Sequence, residues 1–333
     1  MSVSYLVTGA TGHLGFNIVR QLHRKNCKIR ALVTPGDPNL FRLENMAEIF
    51  TGDVTDRTTL DDFFDCPSTD DIYLIHCGGL LTLDYKFNQD VWDVNVIGTK
   101  NILDLAISYH VKKRVYVSGV SAIPLDPEVR ELTEITDYRT DKVAGIYGKT
   151  KAAASSLVMG AVEQGLNISM VLPSLLIGPY DYGMTPVTQL IEDYLNGRIA
   201  INTDGGFDFT DVRDVAEATI TCLENCEKGE SYILSGQYHS VKEIFTALHD
   251  LAGVREVRLS MPGWMLKASS PVMDALNRIR KQRSLATPYS IFMLNSNARY
   301  SHLKADSFLN YKTRPLEESL KDTIEFLRTE NRA

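Results

Sequence analysis

A strand that stops at three glycines set three apart, then restarts as an amphipathic helix, leaves a chain few ways to fold. Residues 4–25 do this. SYLVT reads as a short apolar strand, TGATGHLG holds Gly9, Gly12 and Gly15, and Leu14, Ile18 and Leu22 then recur at helical spacing. Gly9 permits a sharp turn. Gly12 lets the backbone come close to a ligand, and Gly15 lets the helix pack near the strand. The uncovered N–H groups at the start of that helix, and its dipole, favour a pyrophosphate. Thr11, His13 and Leu14 belong to the same loop and are expected at the same ligand. A simple tight turn would need only one of the glycines. The strand–loop–helix context is what points to a dinucleotide.

The alternation continues. KIRALVT, AEIFTGD, DIYLIHCGG, RVYVSG and NISMVLPS read as further strands, the last stopped by Pro173. Helices lie between them. One runs from about Asn88 to His110, with Val91, Val94, Ile102 and Leu105 as its buried stripe. Another, IYGKTKAAASSLVMGAVEQ, is rich in alanine, a strong helix former. Several strands are apolar on both faces, as expected where helices cover both sides of a parallel sheet. The expected fold is a Rossmann-type doubly wound α/β sheet with its ligand site at the C-terminal strand ends. After Pro179 the pattern loosens, and SYILSG is expected to return a strand to the main sheet. Residues 1–180 plus about 211–238 are expected to form the dinucleotide domain. About 181–210 plus 239–333 would form a smaller, mostly helical substrate lobe.

Composition excludes several classes. The chain has 333 residues and a net charge of −7, so a nucleic-acid partner is not expected. Its five cysteines are scattered without zinc spacing. Cys222 and Cys226 could share a helix face, but no second ligand pair accompanies them, so no metal is expected. No apolar run is long enough to span a membrane. The start MSVSYLVTGATG lacks the features of a secretory leader. A cytoplasmic protein with reduced thiols is the expectation. The basic run RIRKQR, Arg278 to Arg283, reads as a solvated helix end.

Two features bear on chemistry. An acidic residue at the end of the second strand would bind an adenosine ribose and indicate NAD. Here the strand ends Leu32, Val33, Thr34, with Asp37 three residues on. Thr34 could donate to a 2′-phosphate, with Arg42 in reach, so NADP(H) is favoured over NAD(H). Further along, Tyr147 and Lys151 are four apart at the start of a helix and share a face. A lysine ammonium beside a phenol lowers its pKa and prepares it for proton transfer to or from a carbonyl oxygen.

Together these stretches resemble the extended short-chain dehydrogenases/reductases of the NAD-dependent epimerase/dehydratase superfamily, in particular the dihydroflavonol-4-reductase-like members. The resemblance spans nearly the whole chain. It rests on TGATGHLG, GDVTD (Gly52 to Asp56), HCGG (His76 to Gly79), NVIGTKNIL (Asn95 to Leu103), YGKTK, VLPSLLIGP (Val171 to Pro179) and DVRDVAEA (Asp211 to Ala218).

The resemblance implies roles. Asp53 and Val54 would meet the adenine. Cys77, Gly78 and Gly79 would line the cofactor, and Asn95 would brace the central helix. Pro173 and Ser174 would sit by the nicotinamide, while Arg213 and Asp214 would support the substrate lobe. Tyr147 would be the acid/base, with Lys151 tuning it. The family's catalytic serine or threonine aligns with Gly119, which has no side chain to offer. Ser121 is the expected substitute, and Ser118 is expected to face the cofactor. The implied activity is NAD(P)-dependent hydride transfer to or from a small-molecule carbonyl. A lobe holding Tyr180, Tyr182, Phe207, Phe209, Trp264 and Tyr289 could take an apolar or aromatic ketone. A nucleotide-sugar epimerase or dehydratase with tightly held NAD, and a non-catalytic dinucleotide sensor, stay open as alternatives. The family also implies a homodimer.

Overall fold

The computed structural model describes residues 2–126, 128–225, 227–268 and 285–333. Cys226 and the run Arg278–Arg283 lie outside the described residues. Seven strands form one parallel sheet: β1 (Val3–Thr8), β2 (Lys28–Val33), β3 (Glu48–Thr51), β4 (Asp71–His76), β5 (Lys113–Val117), β6 (Ile168–Pro173) and, later in the chain, Ser231–Leu234. With β7 (Leu175–Ile177) and β8 (Gly206–Asp211) intervening, that last strand is β9. The order is β3-β2-β1-β4-β5-β6-β9, which reverses direction beside β1 and opens a crevice there.

Alternation along each strand sends side chains to both faces. Tyr5 and Val7 pack with Leu14, Ile18 and Leu22 of the His13–Arg24 helix and with Val215 and Ile220 of the Val212–Asn225 helix. Leu6, Leu32 and Leu74 point the other way, onto Phe63, Ile102 and Leu105. Both faces are therefore dry, and the apolar runs of the strands follow from that. SYILSG does return to the main sheet, as β9 beside β6.

Two features go beyond the sequence reading. The long central helix is not uniform: Gln89–Trp92 passes through a π turn, Asp93–Ile97, before Gly98–Ser108. A second, three-stranded sheet joins β7, β8 and β10 (Gln237–Ser240). Two of its strands, β7 with 3 residues and β10 with 4 residues, are too short to announce themselves by periodicity. This sheet shares a separate core with the helices Pro186–Leu195, Val241–Ala252 and Leu316–Thr329, through Ile177, Ile191, Phe209, Phe245 and Leu327. Arg213 fixes the C-terminal helix by pairing with Asp211 at 2.7 Å and with Asp322. Asp214 accepts the backbone N–H of Arg314 at 2.8 Å. Both residues tie the Val212–Asn225 helix to the C-terminal segment. No helix among the described residues is long and apolar enough to cross a membrane.

Candidate active site

The glycine loop is built as a cradle. Gly9 has a φ of +64°, and a Cβ there would stand 2.7 Å from Gly78 Cα, so the turn at β1 and the end of β4 touch backbone to backbone. A Cβ on Gly15 would collide with the Gly9 carbonyl oxygen. Gly12 is the N-cap of the following helix and offers no side chain to cap it. The first N–H groups, from His13 and Leu14 onward, are thus left for a ligand. A diphosphate fits this donor set.

The adenosine end differs from the sequence reading. Thr11 Oγ1 donates to Asp37 Oδ2 at 2.6 Å, so the turn after β2 folds its carboxylate back onto the glycine loop. Thr34 is exposed beside it, and its carbonyl accepts the Asp37 N–H. Arg42 does not wait for a 2′-phosphate. It pairs with Glu330 at 2.8 Å and lies 3.6 Å over the Tyr182 ring. Asp53 accepts from Thr55 N–H and Oγ1 at 2.8 Å each, which shapes the loop after β3. Val54 packs against Gly98 of the central helix.

The end of β4 is tied down by a buried chain of hydrogen bonds. Gly78 N–H donates to Thr8 Oγ1 at 3.0 Å, and Thr8 Oγ1 lies 2.7 Å from His76 Nδ1. His76 Nε2 lies 3.0 Å from Thr99 Oγ1, which donates to the Asn95 carbonyl at 2.7 Å. The two ends settle the proton order: Thr8 donates to Nδ1, and Nε2–H donates to Thr99. Burial, aided by the charge of Lys151, lowers the His76 pKa to about 3, so the ring is neutral. Cys77 donates its thiol to the Thr8 carbonyl, and burial pushes that thiol up to about 12. Asn95, within the π turn, accepts Leu80 N–H at 2.7 Å and donates to Thr150 Oγ1 at 3.0 Å. Thr150 in turn donates to the Tyr147 carbonyl at 2.9 Å. Asn95 thus connects the cofactor floor to the Gly145–Glu163 helix.

That helix carries Tyr147 and Lys151 to the C-terminal strand ends. Lys151 Nζ donates to the Val117 carbonyl at 2.9 Å and stands beside Gly79, 3.5 Å from where a side chain there would begin. Burial brings the Lys151 pKa down to about 8. The expected lowering of Tyr147 by this lysine is not met. Burial, with neighbouring Tyr289 second, pushes the phenol above its ordinary value. Lys151 Nζ is hydrogen-bonded instead to the Val117 carbonyl, and desolvation of the phenolate dominates at Tyr147.

The hydroxyl question has a geometric reply. Ser118 Oγ is 2.7 Å from Ser155 Oγ on the Gly145–Glu163 helix. Ser121 Oγ is buried without a hydrogen-bond partner among the described residues. It lies 3.6 Å from the point a Cβ on Gly119 would occupy, and the Pro173 carbonyl lies 3.8 Å from the same point. Gly148 makes this approach possible, since a Cβ there would stand 2.9 Å from the Ser121 carbonyl. Ser174 is buried just past β6.

The lobe aromatics divide. Tyr180 and Tyr182 pack on Phe16 and Phe326, between the two cores. Phe207 and Phe209 belong to the lobe core, and Trp264 is exposed. Of the six, Tyr289 is the one set against the helix that carries Tyr147. Among the described residues no group of three or more His, Cys, Asp or Glu is placed to hold a metal.

The NAD dependent epimerase/dehydratase family matches over residues 5–235, from β1 to just past β9. The chain belongs to that family. This family member is 29% identical over 301 residues to the sterol demethylase protein B of Methylococcus capsulatus, covering 88% of this chain and 89% of that one. It is 28% identical over 273 residues to a dihydroflavonol 4-reductase-type protein of Synechocystis, covering 80% and 77%. The crystal structure of gox2253 superposes with a TM-score of 0.82 at 29% identity, over 100% of this family member and 99% of that chain.

Proposed function

We propose that the protein is an NAD(P)-dependent carbonyl reductase, with Tyr147 as the proton donor to the reacting oxygen. One observation carries the reading: the Gly145–Glu163 helix brings Tyr147 and, one turn on, Lys151 to the end of β5, where Lys151 Nζ donates to the Val117 carbonyl at 2.9 Å. A protonated phenol is the form that reduction of a carbonyl consumes. The nicotinamide, when bound, supplies the hydride. The glycine cradle would hold the diphosphate, and Cys77, Gly78, Gly79, Asn95, Pro173 and Ser174 would form the wall beside the nicotinamide. Lys151, near neutrality in its pKa, would return a proton to Tyr147 after turnover. The test is oxidation of NADH and NADPH by purified protein across aldehydes, diketones and aromatic ketones. Cofactor binding with no turnover on any of them sinks the reading.

Ser121 would supply the second donor to the substrate oxygen in place of residue 119. A buried hydroxyl without a partner costs stability, and a substrate oxygen would satisfy it. Ser121→Ala is expected to lower kcat by about 10²-fold, as loss of an oxyanion donor does. Ser118→Ala should leave kcat within about threefold and cost stability on the order of 1 kcal/mol. Residue 119 is in extended backbone with φ 169°, and nothing closer than 3.6 Å meets its Cβ, so a serine fits. Gly119→Ser in the Ser121→Ala background should therefore recover part of the rate. Equal kcat losses for the two single serine variants would place the hydroxyl elsewhere.

The preference for NADP(H) rested on a strand end without a carboxylate and on Arg42. With Asp37 at the glycine loop and Arg42 paired with Glu330, the contacts weigh toward NAD(H). A 2′-phosphate beside an unopposed carboxylate is repelled. Asp37→Ser is expected to shift the ratio of NADPH to NADH affinity by about tenfold toward NADPH. An unchanged ratio would show that Asp37 does not face the ribose.

A further inference from the structure

We propose that Tyr116, on β5, is a positioning residue for the reaction: its ring face holds the Lys151 ammonium charged and in place at the end of that strand. This rests on the carbonyl-reductase reading, in which Lys151 returns a proton to Tyr147, and adds the group that keeps the proton on Lys151.

The need comes first. Lys151 is buried, and among the described residues its Nζ has one hydrogen-bond acceptor, the Val117 carbonyl at 2.9 Å. An ammonium has three N–H donors, and a buried charge without a partner is costly. The titratable groups that face it supply no counter-charge near neutral pH. At the end of β4, the His76 pKa lies at about 3 and the Cys77 thiol is pushed up to about 12, both by burial first. One turn back on its own helix, the Tyr147 phenol stands above its ordinary value. The π turn brings Asn95, which is neutral and whose Oδ1 accepts Leu80 N–H. No carboxylate among the described residues acts on Lys151.

The contact comes second. Lys151 Nζ stands over the Tyr116 ring, 5.3 Å from its centroid. A cation at that range is attracted by the negative face of the ring, and more strongly where water is excluded. Tyr116 is only 1% exposed. Burial pushes its phenol upward, so the ring stays neutral. Its hydroxyl is buried without a hydrogen-bond partner among the described residues, so no such bond favours tyrosine over phenylalanine here. Tyr116 and Val117 are consecutive on β5, and the ring of one and the carbonyl of the other meet the same Nζ. The His76 ring, 5.6 Å away and tilted by 32°, packs on Tyr116 from β4.

Burial already brings Lys151 down to about 8. Loss of the ring lowers it further. The ammonium exists below its pKa, so activity that needs it then ends at a lower pH.

The test reads Lys151 directly, by NMR titration of protein isotope-labelled at lysine Cε, with Lys151→Arg to assign the signal. Tyr116→Phe keeps the ring and Tyr116→Leu removes it. Trifluorophenylalanine at position 116 keeps the shape of a Phe ring and draws charge from its face, so it serves even where Tyr116→Leu does not fold. Lys151 is expected to titrate in Tyr116→Phe where it does in wild type. In the Leu and trifluorophenylalanine proteins it should titrate about one pH unit lower. The alkaline limb of the kcat profile should move with it. An unmoved titration in either of these two proteins, or an equal move in Tyr116→Phe, would overturn the proposal. Wild-type protein that binds cofactor and reduces no carbonyl would overturn the reductase reading instead, and the titration still decides the contact.

Discussion

Tyr147→Phe is expected to lower kcat by about 10²–10⁴-fold, the usual worth of a positioned general acid, while cofactor Kd stays within about twofold. Tyr147 stands on the Gly145–Glu163 helix one turn before Lys151, whose Nζ is fixed at the end of β5 by the Val117 carbonyl. Thr150, accepting from Asn95 and donating to the Tyr147 carbonyl, holds the backbone of that turn whether or not the hydroxyl is present. The ring itself is retained in the variant, so packing against its neighbours persists. The measurement is steady-state turnover on any carbonyl that the wild type reduces, paired with a fluorescence titration of cofactor. Unchanged turnover would remove Tyr147 from the chemistry. A loss of cofactor binding of the same size would make it a binding residue instead.

Gly15→Ala should abolish useful cofactor binding. The added methyl would drive into the Gly9 carbonyl oxygen, which is backbone and cannot rotate away. Either the helix retreats from the loop or the loop deforms, and both misplace the N–H groups that face the diphosphate. Losing one or two charge-assisted hydrogen bonds, at about 1.5–3 kcal/mol each, raises Kd by about 10²-fold or more. Overpacking at this point also costs about 1–3 kcal/mol of stability, so Tm is expected to fall by several degrees. Titration of cofactor with circular dichroism as a folding control checks both. Wild-type affinity in the variant would mean that the tight approach of helix and loop is not needed for the ligand.

Much of the candidate site was legible because its logic is local. A strand, three glycines and a helix are read from consecutive residues, and each glycine meets a contact that a side chain would block or crowd. Tyr147 and Lys151 share a face because helical spacing requires it. Asn95 could be placed by its match to NVIGTKNIL, but its π turn could not, since one extra residue in a helical turn leaves no mark in the apolar pattern. Ser121 was legible as a candidate hydroxyl close to Gly119. That Gly148 admits it to the helix was hidden in the YGKTK motif until the packing was known.

What the amino-acid order determined by itself was the alternation, hence the doubly wound sheet, the glycine turn at β1 and the shared helix face of Tyr147 and Lys151, because 2.0- and 3.6-residue periods and glycine spacing act between near neighbours. The tertiary structure alone decided the partners of the charged and hydroxyl groups. Arg42 finds Glu330 across 288 positions, Asp37 turns back to Thr11, Ser118 meets Ser155, and burial pushes the Tyr147 phenol upward. Long side chains choose among whatever the fold brings near, and desolvation depends on everything packed around a group. Neither quantity is a property of the residues next to it in the chain.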